Sequence, residues 1–286
     1  MQVTIGCVQF APAKAKVQEN LDKIGEYVLQ AAGEGADLVL FPESSPSGYF
    51  LEGGVLECAL SADELGRELQ NRLSGLDRPI DVALGFYEID GKDLYNSAAY
   101  FEVSREEVRL VHRYRKFFLP TYGVFDEERF VGRGRDLGVF QTRFGTVGLL
   151  ICEDVWHSIL PALSAVAGAT VLLVPSASPA RGFKENEPDN LLRYDALLQS
   201  IAEEHGVVCV NAQLCGFEGG KGFIGGSQVV DPFGTVVGKG PVNEEHLLLC
   251  QLDLDLIPLA RASSPLLSDL RACWGDISRI VSQLEH

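Results

Sequence analysis

Short apolar runs alternate with segments of helical spacing almost from end to end of the chain. "VTIGCVQF" (3–10) and "ADLVLFPE" (36–43) read as strands, and the helical spacing across 16–33 between them closes at Gly33. A second helix is predicted across 59–74. "IDVALGFYEI" (80–89), "NSAAYFEV" (96–103) and "EVRLVHRYRK" (107–116) are predicted to be neighbouring antiparallel strands, because only short turns bearing Gly91 or Ser104 separate them. "LGVFQTRFG" (137–145), "TVGLLIC" (146–152) and "ATVLLVPSA" (169–177) continue the strands, with a helix predicted over 156–167. A polar, proline-bearing loop over 178–190 leads into an amphipathic helix, 190–205, ending at Gly206. "VVCVNAQLC" (207–215), a hairpin over 226–239 turning at "DPFG", and "LLLCQLDLDL" (247–256) complete the strands, and 265–284 reads as helical. Nothing in the composition divides the chain, so the reading is one domain over 1–286. Continuous apolar strands mixed with alternating ones predict an α/β protein with a large mixed sheet, or two sheets, and helices outside.

Composition narrows the function more than the fold. A chain of 286 residues can bury about three quarters of its unfolded surface and needs no covalent staples. Forty acidic against twenty-four basic residues give a net charge of −16. That argues against a nucleic acid or an anionic membrane as partner, since both require a positive footprint. Seven scattered cysteines form no C-x-x-C pair and suit neither a disulfide framework nor a zinc site. No signal peptide opens the sequence and no apolar run approaches membrane-span length, so a reducing cytoplasm is the expected compartment.

Most motif matches dissolve in context. "GKGFIG" (220–225) fits G-x-G-x-x-G, but a strand and turn follow it where a dinucleotide site requires a helix. Phosphate-loop and serine-elbow patterns are absent from the sequence, and the five histidines never fall at ligand spacing. His157 lies five residues after Cys152, yet thiol–histidine dyads form across space, and a half-exposed histidine at a helix start is the better reading. The run "HRYRK" (112–116) reads as one solvated face of a strand.

Three strand ends survive. Glu43 follows "LVLFP", Lys116 follows "VRLVHRYR", and Cys152 follows "TVGLLI" and precedes two acids. Catalytic groups of open α/β sheets collect at strand ends, and these three have complementary chemistry. Glu43 could take the thiol proton of Cys152 and later return it to departing ammonia. Lys116 could face a developing oxyanion, with the backbone N–H of Glu153 as second donor. A helix start beside the sulfur is expected to favour thiolate.

The motifs "LVLFPE", "YRKFFLPTYGVFDE" and "LLICEDVW", with "GCVQFAP" early and "GGSQVVDPFG" late, resemble the nitrilase or carbon–nitrogen hydrolase superfamily. "CEDVW", "LPTYGVFDE" and "SSPLLSDLR" look most like the glutamine amidase domain of glutamine-dependent NAD synthetases; the S-G-G-x-D-S pyrophosphate loop of a synthetase is absent, so synthetase activity is not expected. The resemblance implies a four-layer αββα sandwich and a homodimer packed sheet on sheet, helped by the segment 256–286. It implies a thiol amidase that needs no metal or organic cofactor and hydrolyses a small linear amide through a cysteine thioester. It also places a second glutamate at Glu127, holding Lys116 and orienting water. It places Tyr49, Tyr122, Phe125 and Trp156 around the pocket, with Glu153 and the loop from Ser176 through Ser178 to Arg181 on the substrate. A carbamoyl hydrolase, a glutaminase subunit feeding a separate synthetase, and a silent binding protein remain as alternatives; intact Glu43, Lys116 and Cys152 count against the last.

Overall fold

The structure is a computed structural model that describes residues 1–284 apart from 182, 185 and 186. Its first half runs β1 (Gln2–Gln9), α1 (Val17–Gly33), β2 (Leu38–Leu40), α2 (Val55–Cys58), α3 (Ala62–Arg72), β3 (Ile80–Asp90), β4 (Asp93–Val103) and β5 (Val108–Arg115). There follow β6 (Val139–Thr142), β7 (Gly145–Leu149), α4 (Ile159–Val166), β8 (Val171–Ser176), β9 (Phe183–Lys184), β10 (Glu187–Pro188) and α5 (Asp189–His205). The last part runs β11 (Val208–Gln213), β12 (Cys215–Glu218), β13 (Lys221–Ile224), β14 (Gln228–Val230), β15 (Val236–Lys239), β16 (His246–Asp253), α6 (Leu256–Ser263), α7 (Leu266–Ala272) and α8 (Trp274–Gln283).

Two mixed sheets result, ordered β16-β1-β2-β3-β4-β5 and β15-β14-β11-β8-β7-β6. Their central pairs are parallel and their outer pairs antiparallel. The period-2 geometry of a strand explains the continuous apolar runs, because each central strand is buried on both faces. On β1 and β2, Ile5, Cys7, Leu38 and Leu40 face the second sheet, where they meet Val147, Leu149, Leu173 and Val210. Val8, Val39 and Phe41 face the other way, onto Leu21, Ile24 and Val28 of α1 and Leu65 and Leu69 of α3. Across the second sheet, Leu172, Val174 and Cys209 pack on α4, α5 and α7. The order is helix, sheet, sheet, helix, the expected four layers. Among the described residues, no helix is long and apolar enough to cross a membrane.

The three antiparallel neighbours β3, β4 and β5 form as predicted. The "DPFG" hairpin forms too, with Asp231 Oδ1 accepting from the N–H groups of Phe233 and Thr235 at 2.9 Å each. Helix boundaries differ. The helix predicted over 59–74 starts at Ala62, because Ser61 and Glu64 form a reciprocal capping box that fixes the first turn there. The helix predicted over 156–167 begins at Ile159, preceded by a 3₁₀ turn, Cys152–Trp156. The helix predicted over 265–284 is two helices, α7 and α8, meeting at Cys273. The loop predicted over 178–190 falls partly outside the described residues, and its described part contains β9 and β10.

Candidate active site

Each of the three strand ends is aimed by local structure. Pro42 has no N–H to donate, so the β2 ladder stops and the chain turns at Glu43. Glu43 then lies against Gly85 of β3, where a Cβ would come within 2.5 Å of Glu43 Cα; only glycine admits this approach. On β5, Tyr114 faces the inter-sheet core, and two residues on Lys116 points the same way. Cys152 follows β7 with φ of +47°, a left-handed conformation costing a non-glycine residue of order 1 kcal/mol or more. The strand-to-turn corner thereby lifts its thiol out of the ladder.

The side chains converge. Lys116 Nζ, fully buried, donates to Glu43 Oε1 at 2.7 Å and to Glu127 Oε1 at 2.6 Å. Glu43 also accepts from Asn96 Nδ2 at 2.7 Å through Oε1 and from the N–H of Ala177 at 2.9 Å through Oε2. Cys152 Sγ lies 3.9 Å from the carbonyl of the same Ala177 and 3.3 Å from the Tyr194 hydroxyl. One residue, Ala177 just past the end of β8, thus contacts Glu43 through its N–H and Cys152 through its carbonyl. Glu127 accepts further from Asn96 Nδ2 at 3.3 Å and from the Tyr49 hydroxyl.

Burial and neighbouring charge set the protonation states. Burial pushes the Glu127 carboxyl up to about 7, against the pull of Lys116. Burial alone would lower the Lys116 ammonium, but the two carboxylates override it and hold it well above the ordinary lysine range. The Cys152 thiol is pushed up, chiefly by burial and then by the charge of Glu43. This corrects the expectation that a helix start favours thiolate. A five-residue 3₁₀ turn follows the sulfur, and desolvation of the anion outweighs whatever it offers. Burial thus favours the neutral thiol.

The pocket residues divide. Tyr122, half exposed, donates to the Glu153 carboxylate at 3.0 Å and packs edge-on against Phe125. Phe125 in turn meets Tyr49, and the Arg181 guanidinium lies over both the Phe125 and Tyr122 rings, 5.0 and 5.7 Å from their centres. Trp156 stands edge-on to Tyr194 at 5.2 Å, on the thiol side. Ser176 and Ser178 are buried and accept from Asn211 Nδ2 at 2.9 Å and Asn190 Nδ2 at 2.7 Å, which fixes the start of the loop after β8 from beneath. A cavity of about 450 Å³ is walled by Tyr49, Phe50, Tyr87, Phe125, Glu127 and Lys221, among others. Cys152 is not on its wall; the cluster reaches this cavity through Glu127. Among the described residues, no three His, Cys, Asp or Glu side chains are grouped to hold a metal ion.

Sequence reasoning missed Asn96, Tyr194 and Asp154. Asp154 is fully buried and accepts from the N–H groups of Ile151 (3.0 Å), Phe117 (3.2 Å) and Phe118 (2.9 Å) and from the Tyr114 hydroxyl (2.8 Å). It ties the turn after Cys152 to the chain after Lys116, so one carboxylate sets the spacing of thiol and ammonium. Burial pushes it up to about 6 while those N–H groups oppose the rise. The one available signal was the second acid of "CEDVW".

Residues 4–262 match the carbon-nitrogen hydrolase family, and the chain belongs to it. It is 33% identical over 260 residues to the glutamine-dependent NAD(+) synthetase of Thermotoga maritima, a match covering 89% of this chain and 42% of that relative. The chain thus spans less than half the length of this curated relative. Among solved structures, the glutamine-dependent NAD+ synthetase of Acinetobacter baumannii superposes with a TM-score of 0.78 at 26% identity, covering 90% of this chain and 47% of that one. The amidase of Nesterenkonia sp. AN1 superposes with a TM-score of 0.77 at 28% identity, covering 96% of this chain and 98% of the other. The protein is a carbon–nitrogen hydrolase of the nitrilase superfamily, with amidases among its structural neighbours.

Proposed function

We propose that the protein hydrolyses the terminal amide of a small linear ω-amide, glutamine-like in bearing a carboxylate at its other end, to a carboxylic acid and ammonia. The observation that carries the reading is Lys116, buried and bridging Glu43 and Glu127, with Glu43 and Cys152 both held on Ala177. As Cys152 Sγ bonds to the amide carbon, its proton passes to Glu43, and the carbonyl oxygen takes the charge beside Lys116 Nζ and the Glu153 N–H. Collapse of that adduct breaks the carbon–nitrogen bond, and Glu43 gives its proton to the leaving ammonia. Water, oriented by Glu127 and deprotonated by Glu43, then attacks the thioester and restores the thiol.

Arg181 supports the anionic tail. Its Nε is buried with no hydrogen-bond partner among the described residues, and its guanidinium lies over the Tyr122 and Phe125 rings, so it can offer that donor to a carboxylate. The glutamine dependence named for the synthetase relatives supports the same substrate class and keeps ammonia supply to a separate synthetase as the second reading.

We infer further that the chain forms one domain that pairs with a second copy through the segment 256–286. Helix α8 buries none of its residues and exposes Ile280 and Val281, with Leu284 just beyond. Seven free cysteines support a reducing compartment.

The test is ammonia release from glutamine, shorter ω-amides, N-carbamoyl amines and nitriles, by wild type and by Cys152→Ala. Release from the ω-amides by wild type alone is expected. Carbon dioxide appearing with the ammonia would identify a carbamoyl hydrolase instead, and full activity in Cys152→Ala would refute the thiol mechanism.

A further inference from the structure

Glu218, at the end of β12, is a buried carboxylate far along the chain from the site and absent from the chemistry above. Its Oε2 accepts from the N–H groups of Tyr49 at 2.8 Å and Phe50 at 2.9 Å. Those two donors belong to an irregular loop that has no ladder to pair them. The loop is built around the carboxylate. Gly48 takes φ of +82°, and a Cβ there would lie 2.7 Å from Glu218 Oε1.

The same hairpin grips the loop a second time. Phe223 of β13 stacks on Phe50 with ring centres 5.5 Å apart and meets Tyr49 edge-on at 6.3 Å. On the far side, the Tyr87 hydroxyl donates to the Tyr49 carbonyl at 2.8 Å. The Tyr49 backbone is therefore held at both its N–H and its C=O, so its hydroxyl arrives at Glu127 from a fixed origin. Glu127, in turn, holds Lys116 at 2.6 Å.

We propose that Glu218 is a positioning residue: its carboxylate fixes the loop that carries Tyr49, and through the Tyr49 hydroxyl it fixes Glu127 against Lys116. This rests on the reading that Glu127 serves the hydrolysis. Burying a carboxylate is costly, and two loop N–H groups could be satisfied by a neutral acceptor at lower cost. One oxygen takes both donors at once, as an amide oxygen could also do, while the other packs against Gly48 where a side chain would not fit.

The experiment is a double-mutant cycle between Glu218→Ala and Tyr49→Phe, with amide hydrogen exchange of the segment 48–51 measured alongside. Glu218→Ala is expected to accelerate exchange in that segment and to lower kcat about tenfold or more, with KM within about twofold, the pattern of a misplaced catalytic group. Glu218→Gln, which keeps an acceptor oxygen, is expected to recover most of kcat. In the Tyr49→Phe background Glu218→Ala should cost little more, because both changes cut the same link. Losses that multiply in the double variant, or a loss confined to KM, would overturn the proposal. Glu218→Asp, which withdraws the carboxylate by one methylene, carries the same cycle if Glu218→Ala fails to fold. Wild-type protein releasing no ammonia from any amide would sink the amidase reading itself, whereas unchanged exchange at 48–51 in Glu218→Ala would sink the clamp alone.

Discussion

The side-chain amide of Asn96 donates to both glutamates that flank Lys116, at 2.7 Å to Glu43 and 3.3 Å to Glu127. Two carboxylates that share one ammonium repel each other, and a neutral donor reaching both keeps them at fixed separation without adding charge. The site is therefore a network in which each member's state depends on the others.

Glu127 should set the acid side of the pH profile. Its carboxyl is raised to about 7, so below that pH it becomes protonated and Lys116 loses one of its two anionic partners. The turnover of wild type is expected to fall as pH drops through about 7, and Glu127→Gln should flatten that limb. The same variant should lose at least about a hundredfold in turnover, the scale of one positioned acid–base group. Initial rates of ammonia release between pH 5 and 9 check both statements.

Removal of Lys116 should damage stability as well as catalysis. Lys116→Met leaves Glu43 and Glu127 buried without a cation, a change that typically costs about 3–5 kcal/mol. Adding Glu127→Gln to Lys116→Met should recover part of that loss, since one uncompensated charge disappears. Urea unfolding of the single and double variants reads the difference, and equal midpoints would contradict the charge argument.

Asp154 is predicted to matter for folding more than for chemistry. Asp154→Ala strands three N–H groups and the Tyr114 hydroxyl inside the protein, at about 1–3 kcal/mol for each donor left unpaired. Loss of several kcal/mol of stability is expected. Asp154→Asn, which keeps one acceptor oxygen, should fall between Asp154→Ala and wild type in thermal unfolding.

Arg181 tests the substrate class. Arg181→Gln should raise KM for glutamine-like ω-amides about tenfold or more while leaving kcat nearly unchanged, the mark of an interaction equal in ground and transition states. Neutral amides such as propionamide should be hydrolysed by both proteins with the same KM. A uniform loss on charged and neutral amides would mean that Arg181 holds the loop and not the substrate.

Glu43 and Cys152 stood out in the sequence because each closes an apolar run, whereas Lys116 ends the half-exposed, charged strand β5 and stood out only as a strand end with chemistry complementary to theirs. Glu127 was not legible in this way. Within "DEER" it reads as a surface acid, and only the family resemblance singles it out. Asn96 opens the strand predicted over 96–103 like any turn residue, yet it lies inside β4, and its place between the glutamates follows from a register, Asn96 opposite Tyr87, that no local pattern records. Tyr194 reaches the thiol from a helix forty-two residues on. The expectation of a thiolate failed for a related reason: the preference of a nearby turn is local, while desolvation of the sulfur belongs to the assembled core.

Glu43 and Lys116 extend from strands of one sheet, whereas Cys152 and Ala177 extend from strands of the other. The proposed reaction thus straddles a seam, and its geometry is a gauge of the gap between two slabs joined by interdigitated side chains. Trimming Leu40 or Leu173, whose side chains take no part in the hydrogen-bonded cluster, leaves a cavity into which the slabs can relax. Turnover should register that relaxation at temperatures where the protein is still fully folded, which makes activity a finer thermometer of the inter-sheet core than any unfolding curve.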